Sequence, residues 1–274
     1  MQPLKIAAIQ AVSRAESWQA KWQGADVDQA RALLRQAAAQ GAKLACFPEL
    51  YPLVGEEALC REAKALGLYI IAGLAEGDQA RWYNTSTLIS PEGRIVGRQT
   101  KNYPTAGERD QGVVPGDRFQ VFETPLGRFG IVICADFAFF KDGVEACKAG
   151  AADILFNPAV WFALSEVYPH TVVGRHMEYS LPIVGVNLGR RSAGQSDSPF
   201  PPAGGFSTVC VPPPITGLDQ LWDWFCSKPG GIDSGEGFIQ TFGRGEEIRV
   251  FEVDIEAVRR FPGYFSTREP VTSS

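Results

Sequence analysis

The most constraining feature of the 274-residue sequence is a repeated alternation between short β-type runs and stretches with helical periodicity. Residues 5–12 and 43–47 are apolar runs typical of strands, and from Asp26 to Gly41 apolar residues recur every three or four positions. This spacing predicts an amphipathic helix that ends at the glycine. Further strands are predicted at 68–73, 83–89, 94–100, 119–123, 128–133, 152–156, 183–187, 238–242 and 247–253, and further helices at 56–66, 140–149 and 166–179. This order of elements, with interspersed hairpins, predicts a layered α/β fold with a mixed sheet.

Residues 192–237 interrupt this alternation. The segment is rich in proline and glycine, and Leu218–Phe225 is its only apolar stretch. A connection of this length is usually functional or a surface loop rather than a domain boundary. We therefore predict a single domain over residues 1–274 with an insertion at about 192–237. Two interpretations of the insertion remain open: a cover for a pocket or subunit contact built on Trp222–Phe225, or a plain surface loop.

Charge and hydropathy argue against several classes of partner. The chain has 26 basic and 31 acidic residues, a net charge of -5 and a pI of about 5.2, which disfavours phosphate backbones and anionic lipid. No run approaches the roughly 20 apolar residues that span a bilayer. The N-terminal residues form a β-type run rather than the long apolar stretch of an export signal. We expect no nucleic-acid partner, no membrane partner and a cytoplasmic location.

Cysteine and histidine usage argues against disulfides and metal sites. Six cysteines occur, at positions 46, 60, 134, 147, 210 and 226, and a chain of this size without an export signal is expected to keep them as free thiols in a reducing compartment. The sequence contains no CxxC motif. Its two histidines, His170 and His176, would point roughly 120° apart on a helix. We expect neither a metal nor a cofactor.

Three residues at the ends of predicted strands are candidates for chemistry. Cys134 lies between a buried strand and the start of a helix, where helix N-terminal amides favour a thiolate. Glu49 follows a buried strand, and partial desolvation there favours a role as a base. Lys101 ends another strand. Each could instead be purely structural when taken singly: a buried core cysteine, a surface or capping glutamate, and a solvated lysine.

Taken together and in order, the surrounding motifs resemble the nitrilase superfamily of carbon–nitrogen hydrolases. The resemblance rests on Phe47–Leu50, on Lys101 with Glu108 and Pro115–Gly116 downstream, and on Ile133–Asp136. It covers about residues 4–190. Further matches are Tyr83–Ser86, Gly150–Trp161, Arg175–Glu178, Val186–Asn187 and, more weakly, residues 248–261.

The resemblance implies a four-layer α-β-β-α sandwich of the nitrilase type with a Glu-Lys-Cys triad. Cys134 would be the nucleophile that attacks an amide or nitrile carbon. Glu49 would accept the thiol proton and later activate water. Lys101 would stabilise the tetrahedral intermediate, because a cation placed where negative charge develops lowers the barrier. A thioester intermediate divides a difficult hydrolysis into two easier steps.

The resemblance also assigns three supporting residues and a mode of assembly. The backbone amide of Ala135 would assist Lys101, Glu108 would position Lys101 or the substrate, and Trp161 would line the pocket near the acyl group. Family members commonly pair through helical faces, so a homodimer or larger homo-oligomer is implied. The partners expected are a small-molecule amide substrate and water.

Departures from the family pattern leave the substrate open. Ala135 occupies a position where the family often has an aromatic residue, Tyr103 occupies one where histidine is frequent, and residues 51–55 form a short loop. We predict a hydrolase of small linear amides or N-carbamoyl compounds. Nitrile hydrolysis is a weaker hypothesis, because such enzymes usually have Cys-Trp-Glu at the nucleophile. Two further hypotheses stay open: soluble acyl transfer on the same triad, and a non-catalytic binding protein that keeps the fold.

Overall fold

Two β-sheets form the framework of the protein. The computed structural model describes residues 2–162, 165–191, 204–212, 238–261 and 263. Its helices are α1 (Trp18–Trp22), α2 (Val27–Ala39), α3 (Glu56–Leu66), α4 (Ala106–Asp110), α5 (Ala135–Ala138), α6 (Asp142–Ala149), α7 (Val167–Tyr179) and α8 (Ile255–Arg260). Its strands are β1 (Leu4–Gln10), β2 (Leu44–Cys46), β3 (Pro52–Leu53), β4 (Tyr69–Asp78), β5 (Arg81–Ile89), β6 (Ile95–Thr100), β7 (Val121–Thr124), β8 (Gly127–Ile131), β9 (Ile154–Ala159), β10 (Ile183–Asn187), β11 (Thr208–Cys210), β12 (Ile239–Thr241) and β13 (Glu247–Val253).

Both sheets mix parallel and antiparallel pairs, as predicted. Among the described strands, the first sheet has the order β13-β1-β2-β4-β5-β6, with β3 also paired to β4, and the second has the order β12-β11-β10-β9-β8-β7. The centre of the first sheet is parallel, because β2 pairs in parallel with β1 and with β4. The centre of the second sheet is parallel as well, because β9 pairs in parallel with β8 and with β10. Antiparallel strands flank both centres.

Three apolar clusters separate four layers. One cluster combines side chains from both sheets and fills the space between them. A second packs α2 and α3 onto the outer face of the first sheet, and a third packs α6 and α7 onto the outer face of the second. Helices cover both outer faces, so the order of layers is α-β-β-α. The fold class inferred from the sequence is confirmed.

The two-residue period of the strands explains why the central strands are apolar throughout. In β1, Ile6 faces the cluster between the sheets and Ala7 faces α2. In β9, Phe156 faces the same central cluster and Leu155 faces the helices of the second sheet. A strand covered on both faces has no solvent side, so its sequence does not alternate with polar residues.

The structure corrects several boundaries. β4 extends to Asp78 rather than ending near residue 73, and it continues into a tight hairpin with β5. The short elements α1, β3, α4 and α8 were not predicted. Residues 192–237 are not wholly outside the sheet, because β11 lies within them and pairs with β10 and β12. The stretch Leu218–Phe225 lies outside the described residues.

The described cysteines are free thiols, as the sequence predicted: positions 46, 60, 134, 147 and 210. Cys226 lies outside the described residues. In the part of the chain that the structure describes, no helix has the length and apolar content needed to cross a bilayer.

Candidate active site

The chain brings its candidate residues together at the carboxyl ends of four strands. Glu49 follows β2 and Lys101 follows β6, and these two strands run in the same direction in the first sheet. Cys134 follows β8, and Val160 follows β9 in the second sheet. The carboxyl ends of parallel strands are a usual place for sites in α/β folds. Here the carboxyl ends of β2 and β6 in the first sheet face those of β8 and β9 in the second sheet.

Glu49 accepts hydrogen bonds from three different segments. Its Oε1 accepts Lys101 Nζ at 2.7 Å and Asn84 Nδ2 at 2.8 Å, and its Oε2 accepts the backbone amide of Val160 at 2.9 Å. The side chain is 2% exposed. Three donors fix the carboxylate in one orientation, and the bond from Val160 links the first sheet to the second.

Lys101 is enclosed between two carboxylates. Its Nζ lies 2.7 Å from Glu49 Oε1 and 2.8 Å from Glu108 Oε1, and the lysine side chain is 2% exposed. Burial alone lowers the pKa of Lys101, but the negative charges of its neighbours, Glu49 first, raise it above its ordinary value. Lys101 is therefore a permanent cation in a desolvated position.

The orientation of Glu108 is set by the start of α4. Its Oε1 binds Lys101, while its Oε2 accepts the backbone amide of Thr105 at 2.8 Å, and Thr105 Oγ1 accepts the amide of Glu108 in return at 3.3 Å. This reciprocal pair is a capping box. Burial raises the pKa of Glu108, but the charge and hydrogen bond of Lys101, together with the hydrogen bonds from Thr105, keep that pKa below its ordinary value. Two carboxylates around one ammonium leave a net negative charge beside the thiol.

Cys134 occupies a strained turn between β8 and α5. Its φ is 43° and its ψ is -104°, a combination that costs about 1–3 kcal/mol and is concentrated at functional sites. Its amide donates to Pro158 O at 3.0 Å, which fixes the turn against the end of β9. Glu49 and Lys101 lie close enough to Cys134 for their charges to shift the pKa of its thiol.

Helix N-terminal amides, which favour a thiolate, do not outweigh burial at Cys134. Burial, and then the charge of Glu49, raise the pKa of the thiol well above its ordinary value, although Lys101 and the amide of Val160 lower it. The helix that follows, Ala135–Ala138, is a single turn and contributes little dipole. The resting thiol keeps its proton, so nucleophilic attack requires a neighbouring base.

The other two predicted residues lie at the same edge. Ala135 is buried and is the first residue of α5, where no bond within the helix uses the backbone amide. Trp161 directly follows Val160, is partly buried, and stacks on Phe139 with ring centroids 5.6 Å apart. Its backbone amide donates to Asn187 Oδ1 at 2.7 Å.

Asn84 and Val160 contact the candidate residues but were not assigned roles from the sequence. Asn84 has no exposed surface, and its Nδ2 donates to both Glu49 and Glu108, at 2.8 and 3.0 Å. A signal was present, because asparagine is depleted in strands and lies here inside β5. Val160 acts through its backbone, which no sequence pattern reports.

Among the described residues, no cluster of three or more His, Cys, Asp and Glu side chains has the arrangement to hold a metal ion. Instead, the Lys101 ammonium forms ion pairs with the carboxylates of Glu49 and Glu108. The chemistry available at this edge is that of a protonated thiol, two carboxylates and a buried ammonium.

Comparison with known proteins identifies relatives of this chain. Omega-amidase NIT2 of Xenopus tropicalis is 29% identical in an alignment 174 residues long, which covers 52% of this chain and 63% of that protein. The chain thus matches somewhat less than two thirds of the length of this curated relative.

Solved structures share the fold over nearly the whole chain. Saccharomyces cerevisiae Nit3, a member of branch 10 of the nitrilase superfamily, aligns with a TM-score of 0.73 and 18% identity, covering 95% of this chain and 93% of that one. An amidase from Nesterenkonia sp. AN1 aligns with a TM-score of 0.72 and 17% identity, covering 94% and 92%. The family model described as carbon-nitrogen hydrolase matches residues 5–188. This chain belongs to the carbon–nitrogen hydrolase family.

Proposed function

We propose that the protein hydrolyses the C–N bond of a small linear amide or N-carbamoyl compound through a thioester on Cys134. The observation that carries the proposal is the ion-pair network of Glu49, Lys101 and Glu108, which lies beside a protonated thiol. This set combines a nucleophile, a base and a cation for the oxyanion. The amidase activity named for the relatives from Xenopus tropicalis and Homo sapiens supports the same reaction.

Acylation begins when Cys134 Sγ attacks the amide carbon and transfers its proton to Glu49. The carbonyl π electrons move to oxygen, where Lys101 Nζ and the amide of Ala135 stabilise the negative charge. The C–N bond then breaks, Glu49 returns the proton to the nitrogen, and ammonia or an amine leaves. A thioester on Cys134 remains.

Deacylation reuses the same groups. Glu49, ionised again, removes a proton from water as the water oxygen attacks the thioester carbon. The C–S bond breaks, the acid is released, and the proton on Glu49 returns to Cys134. Glu108 keeps Lys101 in place throughout, because its position is fixed by the capping box of α4.

The test of this function is a mass-spectrometric screen with aliphatic amides, N-carbamoyl amino acids and nitriles. We expect an acyl adduct on Cys134 and release of ammonia or amine from at least one amide. Cys134→Ala abolishes both, whereas Cys60→Ala, which changes a partly buried thiol on α3, leaves both unchanged. Turnover by the Cys134→Ala variant near the wild-type level contradicts the mechanism.

The products separate the competing hypotheses. Adducts formed only from nitriles identify a nitrile hydrolase, and diversion of the acyl group to added hydroxylamine instead of water identifies an acyltransferase. Iodoacetamide labelling tests for a non-catalytic protein: we expect Cys134 to react faster than Cys60. Equal and slow labelling of all cysteines, with no turnover, supports a binding protein that has kept the fold.

We also propose that the chain acts as one domain and assembles as a homodimer or larger homo-oligomer. The support is the family resemblance rather than any contact in the structure. Light scattering on the purified protein tests it, and a monomer at micromolar concentration would contradict it.

A further inference from the structure

Asp136 is a buried carboxylate for which the proposed mechanism has no use. It lies two residues after Cys134 and has no exposed surface. Each of its oxygens accepts a backbone amide: Oδ2 accepts Asn102 and Oδ1 accepts Tyr103, both at 2.8 Å. Both acceptor atoms of the carboxylate are thus engaged by the main chain of one loop.

The loop that Asp136 holds begins at Lys101. The amide of Lys101 donates to Asn84 O at 2.9 Å, and its carbonyl accepts the amide of Gly116 at 2.9 Å. The next two amides along the chain are those bound by Asp136. The backbone of Lys101 and the next two residues is therefore fixed at consecutive positions, first by Asn84 of β5 and by Gly116, and then by a side chain from α5.

Asp136 itself is rigidly connected to the nucleophile. Its amide donates to Ile133 O at 2.9 Å, and Cys134 O accepts the amides of Phe137 and Ala138 at 3.1 and 3.0 Å. Asp136 and Cys134 thus share one hydrogen-bonded turn. The Asp136 side chain therefore links the turn that contains Cys134, in the second sheet's half of the sandwich, to the loop that begins at Lys101, after the first sheet's β6.

A carboxylate at this place has a cost that an amide would avoid. Burial raises the pKa of Asp136 to about 7, although the amides of Asn102 and Tyr103 and the charge of Lys101 lower it. An asparagine carries no charge to desolvate, but it has one acceptor oxygen and would satisfy one of the two amides. Of these two side chains, only aspartate has two acceptor oxygens, one for each backbone amide.

We propose that Asp136 is a positioning residue that sets the separation between the Lys101 ammonium and the Cys134 sulfur by holding the backbone of Asn102 and Tyr103. The inference rests on the proposed function, in which Lys101 meets the oxyanion while Cys134 attacks the carbonyl carbon. A displacement of about 1 Å in such an arrangement lowers a rate by about 10².

The first measurement is acylation by 4-nitrophenyl acetate in a stopped-flow burst. Cys134 Sγ bonds to the acetyl carbon, the C–O bond to 4-nitrophenolate breaks, and Glu49 accepts the thiol proton, so the burst reports oxyanion stabilisation. We expect Asp136→Asn to lower the burst rate about 10- to 100-fold with little change in the ester concentration that half-saturates it. Asp136→Glu keeps two acceptor oxygens but lengthens the side chain by one methylene, and we expect it to slow the burst as well.

The second measurement is alkylation of Cys134 by iodoacetamide, which forms a C–S bond by displacing iodide and develops no oxyanion. We expect both Asp136 variants to alkylate at the wild-type rate, because Glu49 remains beside the thiol. Asp153→Asn is the matched control: Asp153 is also buried and accepts a backbone amide, from Arg128 at 2.8 Å, but it lies just before β9, at the end opposite to the site. We expect it to lower thermal stability without slowing the burst.

The outcomes are distinguishable. A wild-type burst rate in Asp136→Asn or Asp136→Glu overturns the positioning role, and so does a parallel loss of acylation and alkylation, which indicates general disruption of the site. If Asp136→Asn does not fold, Asp136→Glu decides by the same two rates. A wild-type protein that shows neither a burst nor turnover of any amide contradicts the proposed function itself.

Discussion

Replacing Glu49 by glutamine tests the central arrangement most directly, because the side chain keeps its size and loses one acceptor and one charge. In the structure three donors point at the carboxylate: Lys101 Nζ, Asn84 Nδ2 and the amide of Val160. The first two share Oε1 and the third uses Oε2. Glutamine has a single acceptor oxygen, so in either orientation its NH₂ group faces at least one donor.

The expected loss of stability follows from the number of donors that are left without an acceptor. A buried donor left without an acceptor costs about 1–3 kcal/mol. Breaking a buried ion pair costs about 3–5 kcal/mol, but only part of this applies because Lys101 keeps Glu108 at 2.8 Å. We expect the free energy of unfolding to fall by about 2–4 kcal/mol, which lowers Tm by on the order of 10 °C. Loss of the base lowers kcat by about 10²–10⁴.

Thermal unfolding and steady-state kinetics on the best amide of the screen measure the two effects separately. Glu62→Gln is the matched control, since Glu62 is a buried glutamate of α3 that pairs with Arg31 at 2.9 Å and Arg35 at 2.6 Å, outside the site. We expect Glu62→Gln to lose stability but keep kcat. A Glu49→Gln variant with unchanged Tm and kcat would refute the reasoning.

Three further predictions concern the wall of the site, a buried histidine and a close backbone approach. Trp161→Ala removes a ring that stacks on Phe139, so we expect steady-state kinetics to show KM raised about tenfold, equivalent to about 1.4 kcal/mol of apolar contact, with a smaller effect on kcat. Burial lowers the pKa of His176 to about 4, so the unfolded state binds more protons between about pH 4 and 6.5 and stability rises with pH across that range. We expect His176→Gln to remove about 3 kcal/mol of this dependence, measured by denaturant unfolding at each pH. Gly73→Ala places a Cβ 2.4 Å from the backbone nitrogen of Leu50, and we expect unfolding and kinetic measurements to show stability lowered by about 1–3 kcal/mol and a reduced kcat, because Glu49 precedes that nitrogen.

Each of these has an outcome that contradicts it. A Trp161→Ala variant with wild-type KM places the ring outside the pocket, and a pH dependence of stability identical in His176→Gln and wild type removes the histidine from the explanation. Gly174→Ala is the control for the glycine, because Gly174 lies on α7 with no atom within 4 Å of an added Cβ. We expect this alanine to stabilise by about 0.5–1 kcal/mol. A Gly73→Ala variant that behaves in the same way contradicts the steric argument.

The sequence predicted elements with a clear apolar pattern well and elements without one poorly. The helix at 56–66 and the strand at 183–187 were predicted with the bounds observed, because their apolar spacing and flanking turn residues agree. Helix α4 is five residues long and too short to show a period, although the Thr105-to-Glu108 capping box was a signal that could have located it. The three-residue strand β11 is specified by its partners β10 and β12 rather than by its own composition.

The site was predictable as a set of residues but not as an electrostatic environment. Ordered motifs identified Glu49, Lys101 and Glu108, which the structure brings into contact, and Cys134, which it places beside them. The raised pKa of the thiol was not predicted, because it depends on how much water and which charges surround the sulfur. Those surroundings come from segments far apart in sequence, including Val160, which lies 111 residues from the carboxylate it binds.

By itself the sequence determined the layered architecture and the types of group available for chemistry, because local apolar periodicity and side-chain identity are properties of the chain. The tertiary structure alone decided that one carboxylate serves three donors, that burial raises the pKa of the Cys134 thiol, and that Asp136 binds the two amides after Lys101. The reason is that desolvation and Coulomb energies depend on distances of a few ångströms. Those distances are set only when segments distant in sequence pack together.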